Sequence, residues 1–282
     1  MKRRRRRPCS SVRSRDINGP IGGQIATGSN SNKDARLGAY YAALYRACGP
    51  QHWWPAQSRL EVIVGAYLTQ NTSWSNVERA LASLRRAKLL SLDGIRRTPR
   101  SQLEKLIHSA GYFRQKARRL KTFLRFLDHR YGGSLTRMFA QSTAQLRGEL
   151  LALNGVGPET ADSILLYAGN HPIFVVDAYT RRILERHQII GPEASYEDIR
   201  ALVERALASA RVAHAKPAAH GLNQGHTPSR ISVAARPPLV QVFNEMHGLI
   251  VGVGKNYCKK SQKCCDHCPL REFLPGGTLP HP

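Results

Sequence analysis

Residues 153–179 read LNGVGPETADSILLYAGNHPIFVVDAY, and two kinds of chemistry lie close together in them. Gly155, Val156 and Gly157 form a tight turn between two helical patterns. Pro158 suits the first position of the second helix, where its missing N–H costs nothing. Such a turn and the helix start behind it leave N–H groups free to bind phosphate oxygens without regard to sequence. Asp177 follows a short apolar run, residues 173–176. A carboxylate there can stabilise positive charge or direct a water molecule. The plainer readings are a helix-turn-helix corner for the glycines and an N-cap for Asp177. Capping would hold the carboxylate in one direction, so both roles of Asp177 are compatible.

A second concentration of reactive side chains lies near the C-terminus, where Cys258, Cys264, Cys265 and Cys268 crowd together with His267. In a cytosolic protein this pattern points to metal rather than disulfides. Cys9 and Cys48 stand alone, and Cys48 reads as a core residue. Trp53 and Trp54 are two of only three tryptophans. Adjacent residues cannot both face one helical stripe, so one of them is a candidate for a cavity wall, where an indole face would attract a cationic ligand. The simpler role for the pair is to staple the N-terminal segment onto the core.

The chain has 282 residues and a formal net charge of +24. Lys2, Arg3, Arg4, Arg5, Arg6, Arg7, Arg13 and Arg15 supply part of it, but the remainder is still strongly basic. A surface of this kind favours a polyanion through release of counterions. Nucleic acid is the expected partner, and no apolar run approaches membrane-spanning length. The basic N-terminus is not followed by an apolar stretch, so we expect no secretory signal and a cytoplasmic, nucleoid-associated protein.

The elements that must position these groups read as helices. Leu60, Ile63, Val64, Tyr67 and Leu68 form one stripe; Val77, Ala80, Leu81 and Leu84 form another. Ser101 and Glu104 have capping-box spacing and Gly111 closes that segment. Leu120, Phe123, Leu124 and Leu127 mark a helix ended by Gly132 and Gly133. Thr143 is placed to cap the helix of Leu146 and Leu150, and Ser195 opens a later one. The last long helix carries Leu239, Val242, Phe243, Met246 and Ile250. No convincing strand is present, so the expected fold is all-α. Residues 1–32 read as a disordered basic arm. Residues 211–238, with His214, His220 and His226 at no ligand-like spacing, read as a flexible insertion.

In order along the chain stand YLTQNTSW (67–74), GYFRQKA (111–117), NGVGPETA (154–161), VVDAYTRR (175–182) and the terminal cysteines. With these motifs the chain resembles the helix-hairpin-helix DNA glycosylase superfamily, specifically endonuclease III-like repair enzymes, over roughly residues 37–274. The WWP before the LTQNT helix looks like the alkylpurine-specific branch. The resemblance implies two helical domains with a cleft between them: 33–60 with 170–253, and 61–169, followed by a cysteine loop at 254–274 and a tail at 275–282. It implies an enzyme, acting as a monomer, that flips a damaged nucleotide out of double-stranded DNA and cleaves its N-glycosidic bond.

Carried over residue by residue, the resemblance makes Asp177 the catalytic aspartate. The family's lyase lysine falls on Glu159, which cannot form an imine, so a monofunctional glycosylase with little or no strand-nicking activity is expected. Glu159 itself reads as a first-turn residue facing the helix dipole. Gln70 and Tyr112 match residues that fill the gap left by the flipped base and wedge the opposite strand. Lys116 joins Gly155, Val156 and Gly157 among the DNA-binding candidates. Trp53 and Trp54 are assigned to the base pocket, with 3-methyladenine-like purines as substrates. An oxidised pyrimidine, a mismatched thymine or uracil, and a purely DNA-binding module are the alternatives. The family spacing for a [4Fe–4S] cluster matches Cys258, Cys265 and Cys268, but its fourth position is Leu274. A cluster completed by Cys264 or His267, a zinc ion on three cysteines and His267, and no metal at all remain open. A bound cluster would hold the basic loop of Lys255, Lys259, Lys260 and Lys263 against phosphates.

Overall fold

A computed structural model describes residues 30–209, 228–261 and 264–275. Most of the N-terminal arm, most of the 211–238 insertion with its three histidines, Lys263 and most of the tail lie outside these. Twelve α-helices are formed among the described residues, and no strand. α1 (Asn30–Cys48) buries Leu37, Tyr40, Tyr41 and Leu44, spaced as one helical face. It packs on α11 (Tyr196–Ser209) and α12 (Pro238–Asn256), and α10 (Ala178–Arg186) also packs on α12. α12 is buried on all sides from Asn244 to Gly254, which makes it the central strut of this group.

The second group is built around α2 (Arg59–Leu68) and α6 (Phe113–Tyr131). α2 is buried along nearly its whole length, and its Ser58 N-cap accepts from the Glu61 N–H. Glu61 is itself buried and is paired with Arg85 of α3 (Trp74–Arg86), so its charge is not left uncompensated. Short helices α4 (Leu92–Arg97) and α5 (Arg100–Leu106) pack against α6, and α7 (Leu135–Phe139) follows it. α8 (Thr143–Leu151) and α9 (Pro158–Ser163) make the hairpin, and α9 continues to Ala168 in wider turns.

Local signals account for most helix ends. Gly132 adopts φ 56° and its N–H bonds to the Asp128 carbonyl, closing α6. Ser195 and Asp198 exchange hydrogen bonds at the start of α11, a reciprocal cap. Two expectations fail by a residue or two. Ser142, not Thr143, caps α8, because the Thr143 hydroxyl pairs with His171 Nδ1 instead. α5 begins at Arg100 behind Pro99, so Ser101 lies inside the first turn and Glu104 pairs with Arg100.

Lys116 corrects a third expectation. Its side chain is 1% exposed, and its Nζ donates to the Leu68 and Ala110 carbonyls at 2.9 and 2.8 Å. It closes the end of α2 rather than reaching DNA, and burial pushes its amine down to about 8. Stranding those carbonyls costs about 1–3 kcal/mol. Lys116→Met should therefore lower the Tm by several degrees. The slope of DNA affinity against salt, read by titration at several salt concentrations, should stay unchanged; a flatter slope would return Lys116 to the DNA interface.

Candidate active site

The hairpin turn owes its shape to Gly155. Its φ is +81°, a conformation that demands glycine, and the Arg119 side chain packs closely against it. Val156 is buried and anchors the turn, with its N–H bonded to the Leu153 carbonyl at 3.0 Å. Gly157 is open, with nothing within 4 Å of a Cβ position. Gln70 is turned inward: its amide donates to the Gly155 carbonyl at 3.0 Å and Thr160 Oγ1 at 2.9 Å, and accepts from Arg119 at 2.6 Å. In this state it ties the end of α2 to the hairpin. Tyr112 stands out on the surface at 67% exposed, held in a left-handed turn (φ 45°) after Gly111. It is not a core ring.

Asp177 caps α10 with one oxygen. Oδ1 accepts from the Thr180 N–H at 2.7 Å and the Thr180 hydroxyl at 3.0 Å. The buried run 173–176 delivers it there without forming a strand. Oδ2 points into a cavity of about 470 Å³, with His247 Nε2 at 3.6 Å. Trp53, Trp54, Trp74, Glu159, His247 and Lys255 line the same cavity. The structure thus brings together Asp177, both sequence-assigned tryptophans and the residue at the lysine position.

The tryptophans are both wall and core. Trp53 and Trp54 are 6% and 4% exposed, so they also staple the segment before α2 onto the helices. The more open indole is that of Trp74, whose ring meets Trp54 edge-on at 5.1 Å. Sequence reasoning passed over it, although it closes the YLTQNTSW motif. Lys255 was also missed as a cavity residue. It was placed with the phosphate-facing lysines, but its Nζ lies 5.2 Å from the centroid of the Trp53 ring, and burial pushes its amine down.

Glu159 faces the cavity together with Asp177 and does more than face a helix dipole. The surrounding walls, and then repulsion from Asp177, push its carboxyl up to about 7. Glu159 is nonetheless exposed, so solvent weakens both the effect of burial and that of Asp177. A carboxyl raised by folding stabilises the fold most below its unfolded pKa, and that advantage is lost as pH rises through about 7. Thermal melts should show Glu159→Gln gaining on the parent protein between about pH 5 and pH 8, with no gap opening at lower pH. A gap independent of pH would place Glu159 outside the influence of Asp177.

Cys258, Cys265, Cys268 and Leu274 border one cavity of about 170 Å³, and Arg186 donates to Cys258 Sγ at 3.0 Å. Neither proposed fourth ligand joins them. Cys264 is buried outside that lining, with its N–H bonded to the Tyr257 carbonyl, and His267 is exposed. Among the described residues no group of three or more His, Cys, Asp or Glu is placed to hold a metal ion. The residues present do not fit a cluster with four protein ligands, nor zinc on three cysteines and His267. The apolar side chain at the fourth position accounts for the misfit. Leu274→Cys should therefore gain iron–sulfur absorbance on anaerobic reconstitution, while the parent protein does not; equal absorbance in both would restore a cluster to this chain.

No helix among the described residues is long and apolar enough to cross a membrane. Residues 64–209 match the model of the HhH-GPD superfamily of base excision DNA repair proteins. MJ1434 of Methanocaldococcus jannaschii, assigned as a DNA repair glycosylase, is 40% identical over 86% of this chain and 97% of its own length. Among solved structures, the H. pylori 3-methyladenine DNA glycosylase MagIII bound to 1,N6-ethenoadenine is 26% identical. It aligns with TM-score 0.61 over 79% of this chain and 97% of that one. An endonuclease III–DNA complex aligns with TM-score 0.63 at 18% identity, over 88% of this chain and 96% of that one.

Proposed function

The chain belongs to the HhH-GPD superfamily of base excision DNA repair proteins and is a DNA glycosylase, and we propose that it is a monofunctional one acting on alkylated purines. The observation that carries the proposal is the cavity that unites Asp177 Oδ2, three indoles and a carboxyl group at the position of the family's lyase lysine. The N–H groups of Gly155 and Gly157 would hold the DNA backbone, with Val156, whose N–H bonds to Leu153, anchoring the turn. Tyr112, exposed beside the α6 start, would enter the stack as the nucleotide leaves it. Gln70 would have to leave the hairpin to meet the unpaired base, so its role in the free protein is to brace the turn.

An extruded base would slide against Trp74, the open indole face. An N3- or N7-alkylpurine is cationic with a weakened glycosidic bond. As that bond breaks, the electron pair goes to the base, which leaves neutral. Asp177 Oδ2 stabilises the positive charge that develops on the sugar and accepts the proton of the attacking water. No amine is needed, which agrees with Glu159 at the lysine position. The amine that lines the cavity, Lys255, lies over the Trp53 face.

One observation favours a second substrate. Because the Trp53 face already carries the Lys255 ammonium, a second cation is less welcome there, and a base with carbonyl oxygens would accept from Lys255. Uracil or mismatched thymine has that chemistry. The deciding experiment is base release from duplexes carrying a methylpurine, 1,N6-ethenoadenine, uracil or a G·T mismatch, with strand nicking and borohydride trapping followed on the same samples. Release of methylpurine with intact strands and no trapped adduct is expected. Asp177→Asn should lose on the order of 100-fold or more in rate while still binding DNA. Faster release of uracil would establish the second substrate, and a trapped adduct absent from Lys255→Ala would overturn the monofunctional reading.

A further inference from the structure

The buried run 173–176 carries Asp177 into the cleft, yet no strand lies beside it. Its backbone bonds to side chains instead. The Phe174 N–H donates to Glu204 Oε1 at 2.8 Å, and the Val176 N–H donates to the Tyr196 hydroxyl at 3.3 Å. In an extended chain, N–H groups two residues apart point to the same side, and both acceptors here come from α11. Tyr196, Arg200 and Glu204 recur every four residues along that helix, on one face. Arg200 bonds both Glu204 oxygens, at 3.0 and 2.8 Å, and so orients that carboxylate. α11 offers a rail of side chains where a sheet would offer backbone.

Tyr196 extends the link to the hairpin. Its hydroxyl donates to Asp162 Oδ2 at 2.9 Å, which leaves its oxygen to accept from Val176. Asp162 is fully buried on α9, and Arg147 of α8 grips both its oxygens, at 2.7 and 3.2 Å. Arg147 also reaches Glu197 of α11 at 2.6 Å. A buried N–H needs some acceptor wherever it lies. What exceeds that need here is that each acceptor is locked by a second partner. One chain of hydrogen bonds thus runs from both hairpin helices, through Tyr196, to the residue before Asp177.

We propose that Tyr196 and Glu204 are positioning residues for Asp177: they hold the run 173–176 in register and, through Asp162 and Arg147, set the carboxylate at a fixed distance from the phosphate-binding hairpin. Capping by Thr180 fixes the rotamer of Asp177, and the rail fixes the backbone from which that rotamer starts. A duplex gripped at Gly155 and Gly157 then presents its sugar to Oδ2 in one geometry. This inference rests on the reading of Asp177 as the group that directs hydrolysis.

The test uses the full-length protein and whichever of the four lesion duplexes it processes fastest. Single-turnover base release at saturating protein, and DNA affinity, are measured for Tyr196→Phe, Glu204→Gln, Glu204→Leu and Asp177→Asn, each well below its melting temperature. Tyr196→Phe keeps the ring and removes both bonds of the hydroxyl. It should release base about tenfold more slowly or worse, since misplacing a reacting group by about an ångström can cost about a hundredfold, with DNA affinity unchanged. Glu204→Leu should show a similar loss, and Glu204→Gln, which keeps an acceptor for the Phe174 N–H, should recover most of the rate. Added to Asp177→Asn, Tyr196→Phe should cause little further loss, because it acts through that carboxylate; a merely structural defect would lower both backgrounds equally. Normal turnover in folded Tyr196→Phe, equal losses in the Leu and Gln variants, a loss explained by weaker DNA binding, or full additivity with Asp177→Asn would overturn the proposal. Unimpaired release by Asp177→Asn would instead overturn the underlying assignment of Asp177.

Discussion

A carboxylate has two oxygens, and the arrangement of this cleft follows from their separation at Asp177. Oδ1 is committed to the start of α10, where two bonds from Thr180 hold it. That capping locks the side chain and aims Oδ2 into the cavity. A free aspartate would sample several rotamers and hydrate fully. Here the choice is made once, by folding. Everything else in the site is arranged around that fixed oxygen: the buried run that delivers it, α12 that backs it, and the hairpin that brings DNA to it.

The hairpin solves a different problem, which is approach. On the proposed reading, backbone N–H groups bind phosphate at a surface without side chains, which Gly155 and Gly157 would provide. The turn must also be stiff, or the binding energy would be consumed in ordering it. Val156 anchors it from below, and Gln70 with Arg119 brace it from α2 and α6. Arg119 packs against Gly155, and the dihedral of the turn is what requires glycine there. On the same reading, the strongly basic chain would supply the long-range attraction and these few contacts the register.

Inside the cavity, charges are balanced rather than accumulated. Burial beside the cleft, and then repulsion from Asp177, raise the Glu159 carboxyl. Lys255 lies on an indole face and adds one cation to the same space. The cysteine cavity is a separate matter. Three cysteines line it without grouping as metal ligands, and Leu274 lines it at the family's fourth position.

The helical architecture, the hairpin and Asp177 could all be read from the chain itself, because each is a local property. Apolar spacing sets which residues share a helix face, glycine sets where the backbone can turn, and an N-cap lies next to the helix it caps. The same locality explains the near misses at Thr143 and Ser101, where a neighbouring residue took the cap. What only the tertiary structure decided is the direction of long or distant side chains. Lys116 lies in a motif that binds DNA in the family, yet its four-carbon stem reaches the carbonyls at the end of α2, 48 residues away in sequence. Lys255 reads as one more basic surface residue until α12 is set against Trp53. Gln70 could stretch outward or brace the hairpin, and only the position of Arg119 selects the second. His247 and Tyr167 are 80 residues apart in sequence, and no periodicity links them. Their pairing arises only when α12 packs behind the hairpin, since a buried polar atom takes its partner from whatever the fold brings within reach.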